Sequence, residues 1–251
     1  MVTVIISGCN GTMGRILSRF IANNREMEVI AGIDRYVDRY ENPFPVYKNA
    51  CDCMESSDVV IDFSHHSTLD AILKYCVDTK TPLVTATTGL SDKDSESLMD
   101  ASKIIPIFQT GNMSLGVNVI TDLAKKAAQV LGDPFDIEII EKHHNQKVDS
   151  PSGTAYLIAN GINEGLENKK DFVYGRYGRA EKRKTTDIGI HAIRGGTIVG
   201  EHTVIFAGPD EIIEIKHTAI SKDIFALGAI EASKFLLKQT NGFYNMNDML
   251  K

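Results

Sequence analysis

The sequence predicts an α/β protein: a doubly wound parallel sheet, followed by a smaller α+β region built on a mixed sheet. Three observations carry this. Short apolar, β-branched runs alternate with segments of helical spacing from Val2 to Leu131, the order that parallel strands joined by crossover helices require. A glycine-rich turn separates the first run from the first helical segment. Beyond Leu131 strand-like runs follow one another with few helices between them, as in a mixed sheet.

The first strand is Val2 to Ile6. It ends in Ser7-Gly8-Cys9-Asn10-Gly11-Thr12-Met13-Gly14-Arg15, after which Ile16, Leu17, Phe20 and Ile21 fall at helical spacing. Glycines at 8, 11 and 14 give G-x-x-G-x-x-G instead of the usual dinucleotide pattern G-x-G-x-x-G, so context must support the motif. It does: a second strand, Glu28 to Ile33, ends at Asp34, twenty residues beyond Gly14, where a carboxylate accepts hydrogen bonds from a ribose hydroxyl. Residues without Cβ let the backbone approach a pyrophosphate, whose charge then lies on a helix N-terminus. Gly8, Cys9, Asn10, Gly11, Thr12, Met13 and Asp34 are therefore candidate cofactor residues of a Rossmann domain. Arg35 is placed to neutralise a 2′-phosphate, which leaves both NADH and NADPH as cofactors.

The alternation continues through a strand at Asp58–Phe63, a helix from Ser67 to Asp78, a strand at Pro82–Ala86, an acidic helix from Ser91 to Ser102, a strand at Ile104–Phe108 and a helix from Leu115 to Leu131. Ligands of such sheets lie across the carboxyl ends of the strands. That adds Phe63-Ser64, Ala86-Thr87-Thr88 and Thr110-Gly111-Asn112-Met113 to the cofactor's neighbours. His65 and His66 read as a loop bordering the nicotinamide pocket.

In the second half, Phe135–Lys142, Asp187–Ile193, Ile198–Phe206 and Glu211–His217 are strand candidates, with a helix from Ser152 to about Leu166. Glu167 to Thr186, carrying Arg176, Arg179, Lys182, Arg183 and Lys184, reads as a solvated mobile loop, with a basic lid as the alternative. The helix Ser221 to Lys238 has an apolar face and is expected to return to the first sheet. The domains are thus 1–113 with 218–251, binding the dinucleotide, and 114–217, binding substrate and assembling subunits.

Composition narrows the partners. With 43% apolar and 24% charged residues the chain is an ordinary globular protein, and no run approaches eighteen apolar residues, so no membrane span is expected. The apolar start lacks the basic region of a signal peptide, and the four cysteines read as reduced thiols, so a cytoplasmic protein is expected. A net charge of −6 argues against nucleic acid or an anionic membrane as partner. An anionic ligand must be held by local positive charge, for which Lys142, Lys147 and Arg194 are candidates alongside the histidines. Arg194 is read either as lining a substrate pocket or as bridged to Glu201 or Asp187.

The densest chemistry lies in Glu141-Lys142-His143-His144-Asn145-Gln146-Lys147-Val148-Asp149-Ser150-Pro151-Ser152-Gly153-Thr154-Ala155. A histidine hands over protons near neutrality, a lysine is a point charge, and a Ser-Gly-Thr opening a helix aims backbone N–H groups at a carboxylate or phosphate. Together they form an anion-binding acid/base site. No metal site is read here, because adjacent histidines on a strand point to opposite faces.

This block resembles the signature of the dihydrodipicolinate reductase (4-hydroxy-tetrahydrodipicolinate reductase) family. Gly8 to Arg15 is similar to that family's glycine turn, Ala86-Thr87-Thr88-Gly89 to its threonine loop, and Ala192 to Thr203 to its R-x-G-x-x-x-G-E-H strand pair. Thr12 stands where the family often has an arginine, and Ser150 where alanine is common. The resemblance implies reduction of a cyclic unsaturated dicarboxylate by NADH or NADPH, giving tetrahydrodipicolinate in lysine and diaminopimelate biosynthesis. It implies His143 as proton donor and Lys147 as the cation that binds substrate and stabilises developing negative charge. His144, Ser152, Gly153 and Thr154 would hold a carboxylate, and a homotetramer would form through the second domain. The other readings are a different two-domain NAD(P)-dependent reductase of amino-acid metabolism, a metal-dependent hydrolase and a non-catalytic dinucleotide sensor.

Overall fold

The computed structural model describes residues 1–179 and 181–250 and divides into two compact units, Met1–Ser114 with Lys222–Lys251, and Leu115–Ser221. In chain order the first unit contains β1 (Val2–Ser7), α1 (Thr12–Ala22), β2 (Met27–Ile33), β3 (Val46–Tyr47), β4 (Val59–Asp62), α2 (Leu69–Thr79), β5 (Leu83–Thr85), α3 (Asp92–Ser102) and β6 (Pro106–Gln109). The second contains α4 (Leu115–Leu131), β7 (Asp136–His143), α5 (Gly153–Gly165), β8 (Asp171–Tyr174), β9 (Asp187–Arg194), β10 (Gly200–Ala207) and β11 (Ile212–Ala219). The chain returns to the first unit as α6 (Asp223–Leu236), β12 (Gly242–Tyr244) and α7 (Met246–Met249).

The first sheet is wholly parallel, in the order β12-β6-β5-β4-β1-β2-β3. Its inner strands are covered on both faces, which is why Val4, Ile5 and Ile6 form an unbroken apolar run with no polar alternation. On one face Leu69, Ile72, Cys76 and Leu98 of α2 and α3 pack with Ile5, Val60, Leu83 and Ile107. On the other, α1 packs with α6, and Phe235 of α6 meets Phe108 edge-on at 6.1 Å between ring centroids. At Gly228 a Cβ would collide with the Met113 carbonyl, so a glycine here lets α6 lie directly on the backbone beyond β6. The strand order reverses between β1 and β4, and the loops at their carboxyl ends flank the crevice where such sheets bind ligands.

The second sheet runs β11-β10-β7-β9-β8, with β7, β9 and β8 parallel and β10 antiparallel to both its neighbours. Ile137 and Ile139 of β7, Ile188 and Ile190 of β9, and Val204 and Phe206 of β10 form one core with Ile120 and Ala124 of α4 and Ile158 and Ile162 of α5. Period-two alternation puts Asp136, Glu138, Ile140 and Lys142 on the opposite, open face.

Three expectations need correction. Residues 218–221 belong to the second unit, because β11 stays paired with β10 through Ala219, and Ser114 belongs to the first. Between Glu167 and Thr186 the chain is largely exposed but is not loop throughout: Asp171–Tyr174 adds to the sheet as β8, pairing with β9. Arg176 and Arg183 then tie the segment between β8 and β9 to the open face, donating to Glu138 at 2.8 and 2.9 Å, with Arg183 also on Asp136 at 2.6 Å. Of the basic residues that suggested solvent exposure, these two meet acids presented by β7, whereas Arg179, Lys182 and Lys184 are exposed; Ala180, within this stretch, lies outside the described residues. Finally, Arg194 bridges neither Glu201 nor Asp187. Parallel pairing sets it opposite His143, on the helix-facing side, where it reaches Glu141.

Candidate active site

β1 leads into a turn that only glycine suits. Gly8 has φ of +77°, and a Cβ on Gly14 would lie inside the Gly8 carbonyl, so the first residue supplies the bend and the second lets α1 close on it. Gly11 caps α1 without a side-chain hydrogen bond, leaving the first N–H groups of that helix open to an anion. Asp34, just past β2, accepts from Asn10 N at 2.9 Å through one oxygen and from Tyr36 N at 2.9 Å through the other. Each oxygen keeps a lone pair for a ribose hydroxyl. This cradle fits a dinucleotide.

Within the turn, side chains divide sharply. Cys9 is buried under Gly32, and burial, then the charge of Asp34, pushes its thiol up to about 12. The Asn10 side chain donates to Tyr36 O at 2.8 Å and accepts from Asn42 at 3.0 Å. Both residues therefore offer a ligand their backbone only, whereas Thr12 is exposed and Met13 half-buried. Exposed Arg35 lines a cavity of about 770 Å³ with Tyr36, Val37, Asp38, Arg39 and Lys48, three cations against one anion.

Asp62, at the end of β4, is fully buried and organises the next two loops. Its carboxylate accepts from the Ser64 N–H and hydroxyl and from the hydroxyls of Thr85 at 3.0 Å and Thr87 at 2.7 Å. The Ala86 N–H donates to the Asp62 carbonyl at 2.9 Å, so Ala86, Thr87 and exposed Thr88 are positioned by this acid. Asp62→Asn would turn an NH₂ toward donors; it is expected to cost about 2 kcal/mol, read as a lower denaturant midpoint by far-UV circular dichroism. Beyond β6, the Thr110 hydroxyl donates to the Asn112 carbonyl and accepts from the Asn112 N–H, with Asn112 and Met113 buried and Gly111 exposed. His65 accepts from Ser67 N through Nδ1 at 3.3 Å and so caps the short turn before α2.

In the second unit, β7 delivers Ile137, Ile139, Glu141 and His143 to the helix-facing side. Glu141, fully buried, accepts from both terminal nitrogens of Arg194 (2.7 and 2.8 Å), from Ser152 N (2.9 Å) and from His143 Nδ1 (2.7 Å). Burial alone raises its pKa, but Arg194, His143 and Ser152 more than offset this and hold the carboxyl below the ordinary range. Arg194 also donates to Asp149 O at 2.7 Å, and the Asp149 carboxylate takes Lys147 Nζ at 2.8 Å and the Gly153 N–H. His143, Glu141, Arg194, Asp149, Lys147 and the start of α5 are thus one connected set. Half-buried His144 comes next in the chain, its carbonyl accepting from Lys147 N at 3.1 Å.

Ser152 is buried; its hydroxyl caps α5 through Ala155 N and is bonded to His202 Nε2 at 3.0 Å, while Gly153 is exposed and Thr154 half-buried. Ser152 thus holds the helix start, and of these three residues Gly153 is the most accessible. Burial, with the charge of His143 beside it, pulls His202 down to about 4, so it stays neutral near pH 7. Two expected members of the positive cluster lie elsewhere: Lys142 pairs with Glu201 at 3.4 Å, and His191 with Glu138 at 2.7 Å, on the open face. Among the described residues no group of three or more His, Cys, Asp or Glu is arranged to hold a metal ion.

Sequence reasoning passes over Asp62 and gives no role of their own to Glu141, which opens the acid/base block, or to His202, counted only among the histidines. A signal is present for two of them: Asp62 ends the apolar run Val59-Val60-Ile61, and Glu141 continues the buried series of Ile137 and Ile139 at period two. An acid on a buried face needs several donors.

A doubly wound parallel sheet with a glycine phosphate turn, in one chain with an acid/base site on a mixed sheet, defines an oxidoreductase that uses a nicotinamide dinucleotide. The chain belongs to the dihydrodipicolinate reductase family: residues 2–113 match the model "Dihydrodipicolinate reductase, N-terminus" and residues 116–250 "Dihydrodipicolinate reductase, C-terminus". It is 51% identical over 251 residues, covering 100% of this chain and 99% of the relative, to the 4-hydroxy-tetrahydrodipicolinate reductase of Caldanaerobacter subterraneus subsp. tengcongensis. Against the Clostridium tetani enzyme of that name it is 50% identical over 250 residues, covering 100% and 97%. The fold is similar to a dipicolinate-bound dihydrodipicolinate reductase from Paenisporosarcina sp. TG-14, with a TM-score of 0.82 at 23% identity over 98% of this chain and 99% of that one. It is also similar to a probable dehydrogenase from Thermotoga maritima, with a TM-score of 0.66 at 13% identity over 99% and 92%.

Proposed function

We propose that the connected set from His143 to the start of α5 carries the substrate chemistry of a 4-hydroxy-tetrahydrodipicolinate reductase acting in lysine and diaminopimelate biosynthesis. When bound, the reduced nicotinamide supplies the hydride. Gly8, Gly11, Thr12, Met13 and Asp34, with the backbone of Cys9 and Asn10, hold the dinucleotide. Ala86, Thr87, Thr88, Thr110, Gly111, Asn112 and Met113 border its nicotinamide. Hydride arriving at a ring carbon conjugated to C=N leaves negative charge on nitrogen, and His143 delivers a proton there. Lys147 neutralises the developing charge and orients the substrate. Gly153 and Thr154 hold a carboxylate at the N-terminus of α5, joined by His144.

The single observation behind this reading is the Lys147–Asp149–Gly153 contact. A carboxylate of the protein's own already lies between the lysine and the helix start, the seat a substrate carboxylate would take. The test tracks absorbance of the reduced nicotinamide as purified protein meets the product of dihydrodipicolinate synthase. Oxidation with turnover supports the reading, and folded protein inert with both cofactors overturns it. Arg35, Arg39 and Lys48 around one cavity favour a 2′-phosphate, so the same assay is expected to give a higher kcat/KM with NADPH than with NADH.

The open face of the second sheet supports a homotetramer. Ile193 and Ile212 are 45% and 66% exposed on this face, which also carries the Glu138 ion-pair cluster, and exposed apolar side chains among paired charges favour a partner surface. Free cysteines at 9, 51, 53 and 76 favour a cytoplasmic setting, and none of the described helices is long and apolar enough to cross a membrane.

A further inference from the structure

Glu141 has no part in the reaction scheme proposed for His143 and Lys147, yet it is the most heavily bonded carboxylate near His143. A fully buried glutamate with four donors needs a reason beyond stability, since a buried ion pair stabilises little compared with apolar packing. Its position supplies one. Arg194 donates to both oxygens and Ser152 N to one of them, so the carboxylate is ionised and can only accept. The bond to His143 at 2.7 Å therefore requires the hydrogen on Nδ1. We propose that Glu141 is a positioning residue for the reduction: held by Arg194, it fixes His143 as the Nδ1–H tautomer, leaving Nε2 as the one atom that takes up and delivers the proton.

The surroundings of the ring agree. The Nε2 edge of the ring faces Gly200 at the start of β10, where a Cβ would lie 3.2 Å from Nε2, so a larger residue there would crowd that edge. His143 is faced by Glu141 from β7, by Arg194 from β9 and by His202 from β10, whose ring lies 5.2 Å away at 70°. His217 on β11 stands opposite His202, and Lys147 lies in the loop beyond β7. Among these, Glu141 is the only anion bonded to the imidazole. Neutral His202, engaged with Ser152, does not compete for the proton. Protonated His143 is thus an ion pair on its Nδ1 side and a donor on its Nε2 side. After delivery through Nε2–H it relaxes to the neutral Nδ1–H form, ready to be reprotonated at the same atom.

This inference rests on His143 being the proton donor, and its test separates the two claims. In protein labelled with ¹⁵N-histidine, long-range ¹H–¹⁵N correlation spectra report the tautomer of each ring, with His143 identified by the signal missing from His143→Gln. The neutral Nδ1–H form is expected; an Nε2–H form in the unmodified protein overturns the proposal without recourse to a Glu141 variant. Glu141→Gln keeps the shape but can present either oxygen or NH₂ to Nδ1. It is expected to lower kcat about 100-fold, to change KM and the NADPH dissociation constant less than about threefold, and to mix the His143 tautomers. Unchanged kcat, or lower kcat with an unchanged tautomer, overturns the proposal. Glu141→Asp, which keeps the charge, is expected to restore the Nδ1–H form, and a mixed tautomer there also counts against it. If His143→Gln turns over normally, the reading of His143 fails while the tautomer result stands.

Discussion

His143→Gln is expected to lower kcat about 10²- to 10⁴-fold, the range over which a positioned general acid acts, while NADPH binding is retained. The loss comes from a single atom. Glutamine fills much of the ring's volume and can accept or donate a hydrogen bond, but it does not carry a transferable proton near neutrality. The buried set around it, Glu141, Arg194 and Ser152, keeps its own bonds, so the loss should fall on the chemical step. Lys147→Met is expected to differ, raising KM as well as lowering kcat, because the lysine's charge meets the substrate both before and during reaction. Steady-state rates with the synthase product, beside fluorescence titration with NADPH, separate the cases. A His143→Gln protein within about threefold of the parent kcat would remove His143 from the mechanism. A ligand-responsive sensor with no turnover would show no such split.

Arg194→Met is expected to cost about 3–5 kcal/mol, because removing one partner of a buried ion pair leaves the other charge uncompensated. Glu141 is fully buried and the Arg194 side chain is 18% exposed, so little water screens them. The pair also sets the sign of the pH dependence. In the parent the Glu141 carboxyl titrates below its ordinary 4.5, contributing stability present above that pH and lost as pH falls through the folded value. Without Arg194, burial lifts the folded value above 4.5 instead, and the variant is penalised increasingly as pH rises from there. The difference between the two proteins should therefore be small at pH 4 and grow toward neutrality, as read from urea midpoints by far-UV circular dichroism. A difference that shrank with rising pH would show that Arg194 does not hold the Glu141 charge. Glu141→Leu combined with Arg194→Leu should lie closer to the parent than either single change, since no charge is left buried alone.

Much of the fold was legible because its signals are local. Apolar runs ending at Gly8, Asp34 and Asp62 mark parallel strands buried on both faces, and helical spacing between them marks the crossovers. Short strands escaped. β3 has two residues and β12 three, too few for any period to show, and β8 hides in a stretch whose basic residues look solvated. Those arginines meet Asp136 and Glu138, which precede them by some forty positions, a match that no window of sequence contains.

Sequence by itself determined the glycine turn, the acid beyond the second strand, the two-part architecture and the block from Glu141 to Ala155, since each depends on residues close in the chain. Only the tertiary structure decided what those residues do to one another. It set Arg194 on Glu141 instead of Glu201 or Asp187, turned Cys9, Asn10 and Ser152 inward, and moved Lys142 to the open face. The physical reason is register. A side chain's face depends on period-two alternation along its own strand, but its partner depends on which strand lies beside it and in which direction. The parallel pairing that brings β9 against β7, with residue 194 opposite residue 143, is a property of the assembled sheet.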